Sequence, residues 1–273
     1  MKKIASINNA DIKRLKILQQ KSRERKKQAC FVVEGLREVQ RAHAANYDWD
    51  CVMVHENAPE FDLIKTLQVQ NTPIYSIASD LFEKISIRSG TEKIIGIAKN
   101  KQHPIAAIQL PENPLVIVIE APEKPGNIGA ILRTVAATNI DAVFVANPKT
   151  DLYNPNIIRS SLGGLFSIPI AQDTSENIIT FLKSKKFTIA AAAITEKNVS
   201  YCSFQYPTPC AIVLGSEADG LTKIWLENAD TVIKIPMNNR IDSLNLSVSA
   251  GILIYEALRH NNRFSLKDPS IFK

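Results

Sequence analysis

The chain has 273 residues, 45% of them hydrophobic, and its 33 Lys and Arg against 27 Asp and Glu give a formal net charge of +6. That apolar fraction excludes intrinsic disorder as the main state, and the length suits one or two domains with real cores. Cys30, Cys51, Cys202 and Cys210 form no C-x-x-C pair, and His43, His55, His103 and His260 show no close ligand spacing, so neither a disulfide framework nor a metal site is indicated.

The opening MKKIASINNADIKRLK is basic but has no apolar h-region, and no apolar run reaches membrane-spanning length. A soluble, cytoplasmic protein is expected, with an organellar transit peptide as the lesser alternative. Residues 1–30 carry ten basic side chains against Asp11 and Glu24, a local balance of +8 that leaves −2 for the remaining 243 residues. Clustered Lys and Arg displace counterions from phosphate backbones, so Lys13, Arg14, Arg23, Arg25, Lys26 and Lys27 are candidate contacts to a polyanion. The plainer alternative is a solvated helix that docks through Ile12, Leu15 and Leu18.

Next come FVVEG (Phe31–Gly35) as a strand, a helix from Leu36 to about Ala45, and the short strand-like runs CVMVH, IYSIA and IIGIA. This α/β unit ends near residue 100. Residues 101–114 hold Pro104, Pro111 and Pro114 among polar residues, the composition of a linker. From Leu115 the pattern alternates: LVIVIE, PGNIGAILRTVAATN, DAVFVA, FTIAAAAI, AIVLG with SEADG, TVIKIPM, and a helix from about Asn245 to Arg259. Such alternation predicts a mostly parallel sheet with helices on both faces.

Parallel sheets bind ligands at the carboxyl ends of their strands, which singles out the loops after Glu120, Leu214 and Ile235. None carries G-x-G-x-x-G or a P-loop, which disfavours a dinucleotide grip or a nucleotide triphosphatase. In the first, Ile128, Ile131, Leu132 and Val135 follow helical spacing, while another face gathers Gly126, Gly129, Ala130, Arg133 and Ala137. Small residues around an arginine let a phosphate reach its planar donors; close helix packing with Arg133 in a surface ion pair is the plainer reading. The second, LGSEADGL (Leu214–Leu221), brings flexible backbone to a flat ligand, or is an ordinary βα turn. In the third, residues 243–249 alternate like a strand, yet the continuation through Tyr255 and Leu258 is helical and apolar nearly all round. Ser243 and Asn245 read there as helix caps.

Together, N-x-G-x-x-x-R-T at Asn127, Gly129, Arg133 and Thr134, then L-G-S-E-x-x-G-L, then I-P-M followed by S-L-N-x-S-V, resemble the three signature motifs of the SpoU (TrmH-like) RNA 2′-O-ribose methyltransferases of the SPOUT superfamily. Each motif is weak alone; three in order over about 125 residues, each after a strand, are specific. FVVEGLREVQRA, SDLFEKIS and GIA resemble the substrate-binding domain that precedes the catalytic domain in several rRNA-modifying members.

The resemblance implies an RNA substrate-binding domain over 1–100, a linker over 101–114, and over 115–273 a mostly parallel α/β methyltransferase domain with a trefoil knot that works as a homodimer. It implies S-adenosylmethionine as cofactor, held near Leu214, Gly215, Ser216, Ile235, Met237, Ser243 and Leu244. It also implies a catalytic set of Asn127, Arg133, Glu217 and Asn245, with Arg133 on the RNA phosphate and target ribose while Glu217 and Asn245 organise the pocket. The implied reaction is methylation of a ribose 2′-hydroxyl in structured RNA, with rRNA favoured. Alternatives are a tRNA 2′-O-methyltransferase, a non-catalytic RNA-binding or ribosome-assembly protein on the same fold, and a small-molecule α/β enzyme. Two positions depart from the family pattern: Ser216 stands where Asn is common, and Asp219 where a small residue is frequent.

Overall fold

The computed structural model describes residues 1–87, 92–238 and 240–263. The chain divides into two compact units: Met1–Gln102 with Asp151–Ser167, and His103–Thr150 with Ile168–Lys273.

The first unit is built on β1 (Lys2–Ile4), β2 (Cys30–Glu34), β3 (Trp49–His55), β4 (Ile74–Ile77) and β5 (Ile94–Lys99), in the order β1-β4-β3-β5-β2. β5 is antiparallel to both β3 and β2, whereas β4 is parallel to β1 and β3. The helices are α1 (Ala10–Gln20), α2 (Ser22–Gln28), α3 (Leu36–Ala44), α4 (Asp62–Val69) and α5 (Ser79–Ile85). α1 starts where the Asn9 side chain accepts the Asp11 amide at 2.8 Å. Its Ile12, Leu15 and Leu18 are fully buried beside Cys30, Val32, Leu81 and Phe82, so the basic segment is a docked helix whose apolar stripe fixes which charges face outward.

The second unit carries β6 (Leu115–Glu120), α6 (Pro125–Ala136) and β7 (Ala142–Ala146). The chain continues through α7 (Pro155–Ser160), β8 (Ile170–Asp173), α8 (Ser175–Ser184), β9 (Thr188–Ala192) and β10 (Val199–Ser200). It ends with β11 (Cys210–Leu214), α9 (Lys223–Asn228), β12 (Thr231–Lys234) and α10 (Leu246–His260). The seven strands are ordered β10-β12-β9-β11-β6-β7-β8, and every adjacent pair is parallel. β6, β7 and β11 are buried at every residue, which explains their apolar runs, broken only by Glu120 at the end of β6: helices cover both faces. Val116, Val118 and Phe144 meet Ile178, Leu182 and Trp225 of α8 and α9, while α6 and α10 pack on one another. From His103 on, the proline-bearing stretch expected as a linker belongs to this unit, because Ile105 buries in the same core and the His103 carbonyl accepts the Gln172 amide at 2.7 Å.

Residues 151–167, which fall inside the expected catalytic domain, pack with the first unit instead. Strand alternation sends Cys30 and Val32 to one face and Phe31 to the other, where Tyr153 stacks on Phe31 with ring centroids 4.2 Å apart. Phe166 meets the Tyr47 ring edge-on at 5.2 Å, and the Tyr47 and Tyr153 hydroxyls are 3.1 Å apart.

Candidate active site

All three loops chosen from sequence lie at the carboxyl ends of parallel strands, and those after β11 and β12 wall one cavity of about 660 Å³. Leu214, Gly215 and Ser216 line it from the β11 loop, Ile235 and Met237 from the chain after β12, and Ser243 and Leu244 from the approach to α10. Glu217 and Asn245 line it too. A volume of that size suits a small organic ligand, and the mix of Leu214, Ile235 and Leu244 with backbone polar groups suits one with a flat apolar face and a polar edge. The loop after β9, residues Ala192–Thr195, is a further wall that sequence reasoning did not single out. FTIAAAAI reads only as a strand, and the polar residues 195–198 that follow it carry no glycine and match no site motif.

The β11 loop is held by its own backbone. Ser216 N–H donates to the Gly220 carbonyl at 3.0 Å and Gly220 N–H to the Ser216 carbonyl at 3.1 Å. Closing that ring presses Gly215 on the far stem, where a Cβ would lie 2.1 Å from the Gly220 carbonyl carbon. Glycine is therefore required at 215. Gly220 has φ +68°, the left-handed region. The Ser216 hydroxyl accepts the Asp219 amide at 3.1 Å, so serine at this position serves the loop itself.

Three of the four expected catalytic residues are hydrogen-bonded in series. Asn245 Nδ2 donates to Asn127 Oδ1 at 3.1 Å, and Asn127 Nδ2 donates to Glu217 Oε1. Both amides are thereby oriented, because Asn245 Oδ1 also accepts the Ser247 amide at 2.9 Å and caps α10. Capping and site-building are one role at Asn245, whereas Ser243 makes no capping hydrogen bond among the described residues. Glu217 Oε2 is buried and has no hydrogen-bond partner among the described residues. A buried carboxylate oxygen without a donor is costly in a finished core, and it is one fitting feature of a wall meant to meet a donor-bearing ligand.

Arg133 does not join this group. It is on the exposed side of α6, six residues and about 9 Å along the helix from Asn127. Its guanidinium has no hydrogen bond or ion pair among the described residues, so the surface ion pair considered from sequence is not formed. Ile128, Ile131, Leu132 and Val135 form the expected buried face, and Gly129 lies with them.

Of the six basic candidates in the first unit, Lys13, Arg23, Lys26 and Lys27 are exposed. Arg25 is a correction. It is 3% exposed, its Nε lies 2.5 Å from Asp151 Oδ2 and its Nη1 donates to the Leu18 carbonyl at 2.8 Å, so it is part of the interior and unavailable to a polyanion. Arg14 is likewise engaged, by Asp50 and by Gln28 Oε1 at 2.8 Å, and is only partly exposed. Charge counting from sequence does not see a carboxylate 126 residues away.

Residues 114–255 match the SpoU rRNA methylase family, and residues 9–96 match the MRM3-like substrate binding domain. The 23S rRNA (guanosine(2553)-2′-O)-methyltransferase RlmP of Bacillus subtilis is 26% identical over 256 residues, covering 93% of this chain and 98% of that protein. A solved RNA 2′-O ribose methyltransferase is 31% identical with a TM-score of 0.80, covering 95% of this chain and 99% of that one. An AdoMet-bound rRNA methyltransferase from Sinorhizobium meliloti is 25% identical with a TM-score of 0.87, covering 95% and 98% respectively.

Proposed function

The chain belongs to the SpoU rRNA methylase family and is an S-adenosylmethionine-dependent RNA 2′-O-ribose methyltransferase; from that premise we propose that it methylates structured ribosomal RNA in the cytoplasm as a homodimer. The observation that carries the site assignment is the 660 Å³ cavity, walled by Leu214–Ser216, Ile235, Met237, Ser243 and Leu244 and edged by the Asn245–Asn127–Glu217 series. When bound, S-adenosylmethionine supplies a methyl carbon made electrophilic by its sulfonium. The residues fit that group: apolar walls for its base, backbone groups for its edge, and the unpartnered Glu217 Oε2 for a donor.

Asn127, Glu217 and Asn245 hold the cavity edge rigid, so that a ribose hydroxyl meets a fixed site and much of the acceleration comes from positioning. Arg133, exposed and uncommitted, grips the RNA phosphate beside the target ribose. A guanidinium stays protonated in proteins, so Arg133 is an orienting and electrostatic group, and the hydroxyl proton leaves to water or phosphate. The exposed Lys13, Arg23, Lys26 and Lys27 supply the RNA affinity of the first unit, and a separate basic unit favours rRNA over tRNA. Val248 and Tyr255, each 50% exposed, lie with half-buried Ile252 on one stripe of α10, which supports its use between subunits. β12 ends at Lys234 and α10, which follows it in the chain, packs on α6, an arrangement that supports the knotted topology of the family.

Tritium transfer from labelled S-adenosylmethionine to unmodified total RNA tests this reading. Alkali-resistant dinucleotides from the rRNA fraction are expected. Label in tRNA alone would overturn the substrate assignment, and label at bases would overturn the site of transfer.

A further inference from the structure

Glu120 is the last residue of β6, 1% exposed, and does not line the cavity. Its Oε2 accepts the Thr222 amide at 2.8 Å, and its Oε1 accepts the Thr222 hydroxyl at 2.6 Å and the Ser175 hydroxyl at 3.2 Å. The Ser175 oxygen in turn accepts Trp225 Nε1 and Asn147 Nδ2, each at 2.9 Å. Thr222 is the N-cap residue of α9, yet its side chain does not cap that helix, because the hydroxyl proton is given to Glu120. A central strand, the start of α8 and the start of α9 therefore converge on one buried carboxylate.

Thr222 follows the loop that walls the cavity. One end of that loop is fixed by β11, paired to β6 through Leu214 and Ile119. The middle is closed by the Ser216–Gly220 pair of backbone bonds. The other end has no strand to hold it and leaves through Gly220 and Leu221 into Thr222. We infer that Glu120 is a positioning residue: its carboxylate pins Thr222 and so sets the closing stem of the loop that walls the methyl donor's cavity. This rests on the reading of that cavity given above, and it assigns to the donor's binding a residue outside the cavity.

The test compares Glu120→Ala, Glu120→Gln, Thr222→Val and Thr222→Ser in the full chain. Amide exchange of residues 215–222 without ligand should rise roughly tenfold in Glu120→Ala and Thr222→Val, stay near wild type in Thr222→Ser, and lie between in Glu120→Gln. Calorimetric affinity for S-adenosylhomocysteine should weaken by a similar factor in the first two, with KM for the donor rising while kcat at saturation stays within about twofold. Unchanged loop exchange and affinity in folded Glu120→Ala would overturn the inference. So would exchange that rises equally in β6, β8 and the loop, which marks a general structural role. Wild-type protein that binds neither donor nor product would refute the cavity's assignment instead, while the ligand-free exchange would still decide whether Glu120 pins the loop.

Discussion

Asp151→Ala tests both the architecture of the first unit and the removal of Arg25 from the RNA-contacting set. The Arg25 and Asp151 side chains are 4% and 9% exposed and meet at 2.5 Å. Truncating the carboxylate leaves the guanidinium with the Leu18 and Gln19 carbonyls but without its counter-charge, the circumstance in which breaking a buried pair costs about 3–5 kcal/mol. For a unit of roughly 120 residues the unfolding entropy is about 0.25 kcal/mol/K, so a loss near 4 kcal/mol lowers its Tm by about 15 °C. Scanning calorimetry reads this directly. The double variant Arg25→Met, Asp151→Leu removes both charges and should recover part of the loss, because apolar replacements of buried pairs are often neutral while the Tyr153 amide, held by Asp151 Oδ1 at 2.9 Å, loses its partner. RNA affinity of that double variant should match wild type, whereas Lys26→Ala with Lys27→Ala should weaken RNA binding and reduce its salt slope by about one for each phosphate no longer neutralised. A Tm change under about 3 °C in Asp151→Ala, or weakened RNA binding in the double variant at unchanged stability, would refute the placement of Arg25.

The hydrogen-bonded series gives a second expectation: Asn127→Ala frees both Glu217 Oε1 and Asn245 Nδ2, so methyl transfer should fall at least about tenfold while the melting temperature moves little, measured on the same preparation. Thiol chemistry gives a third. Burial pushes the Cys51 and Cys210 thiols up to about 12, while Cys202 is exposed, so iodoacetamide at pH 8 should alkylate Cys202 in the native protein and spare those two, as read by peptide mass spectrometry. The fourth concerns acid. Lys3, and then the Ser79 amide and hydroxyl, hold the Glu56 carboxyl down at about 2 from an ordinary 4.5. Its contribution is complete above pH 4.5 and vanishes as pH falls through 2, so the stability gap between wild type and Glu56→Gln should close across that window.

Much of the second unit was legible because local pattern and tertiary role coincide. β6, β7 and β11 read as strands since both faces are covered and every position but Glu120 is apolar, and Gly215 marks a turn because no Cβ fits there. The start of α10 was ambiguous: residues 243–249 alternate like a strand, and the cap at Asn245 settles the matter only through its bonds to the Ser247 and Val248 amides. β1 has three residues with one buried, and β8 only four, too short for periodicity to register. Spacing and composition thus determined the fold class and singled out the three loops, since these depend on neighbours within a few positions, whereas the individual site residues were named through the resemblance to the SpoU family. Tertiary structure alone decided that residues 151–167 join the first sheet through Tyr153 and Phe31, that Arg25 faces Asp151 rather than solvent, and that Glu120 meets Thr222. Each of those is a relation between side chains more than a hundred residues apart, whose energy depends on burial, and burial has no value until the chain has folded.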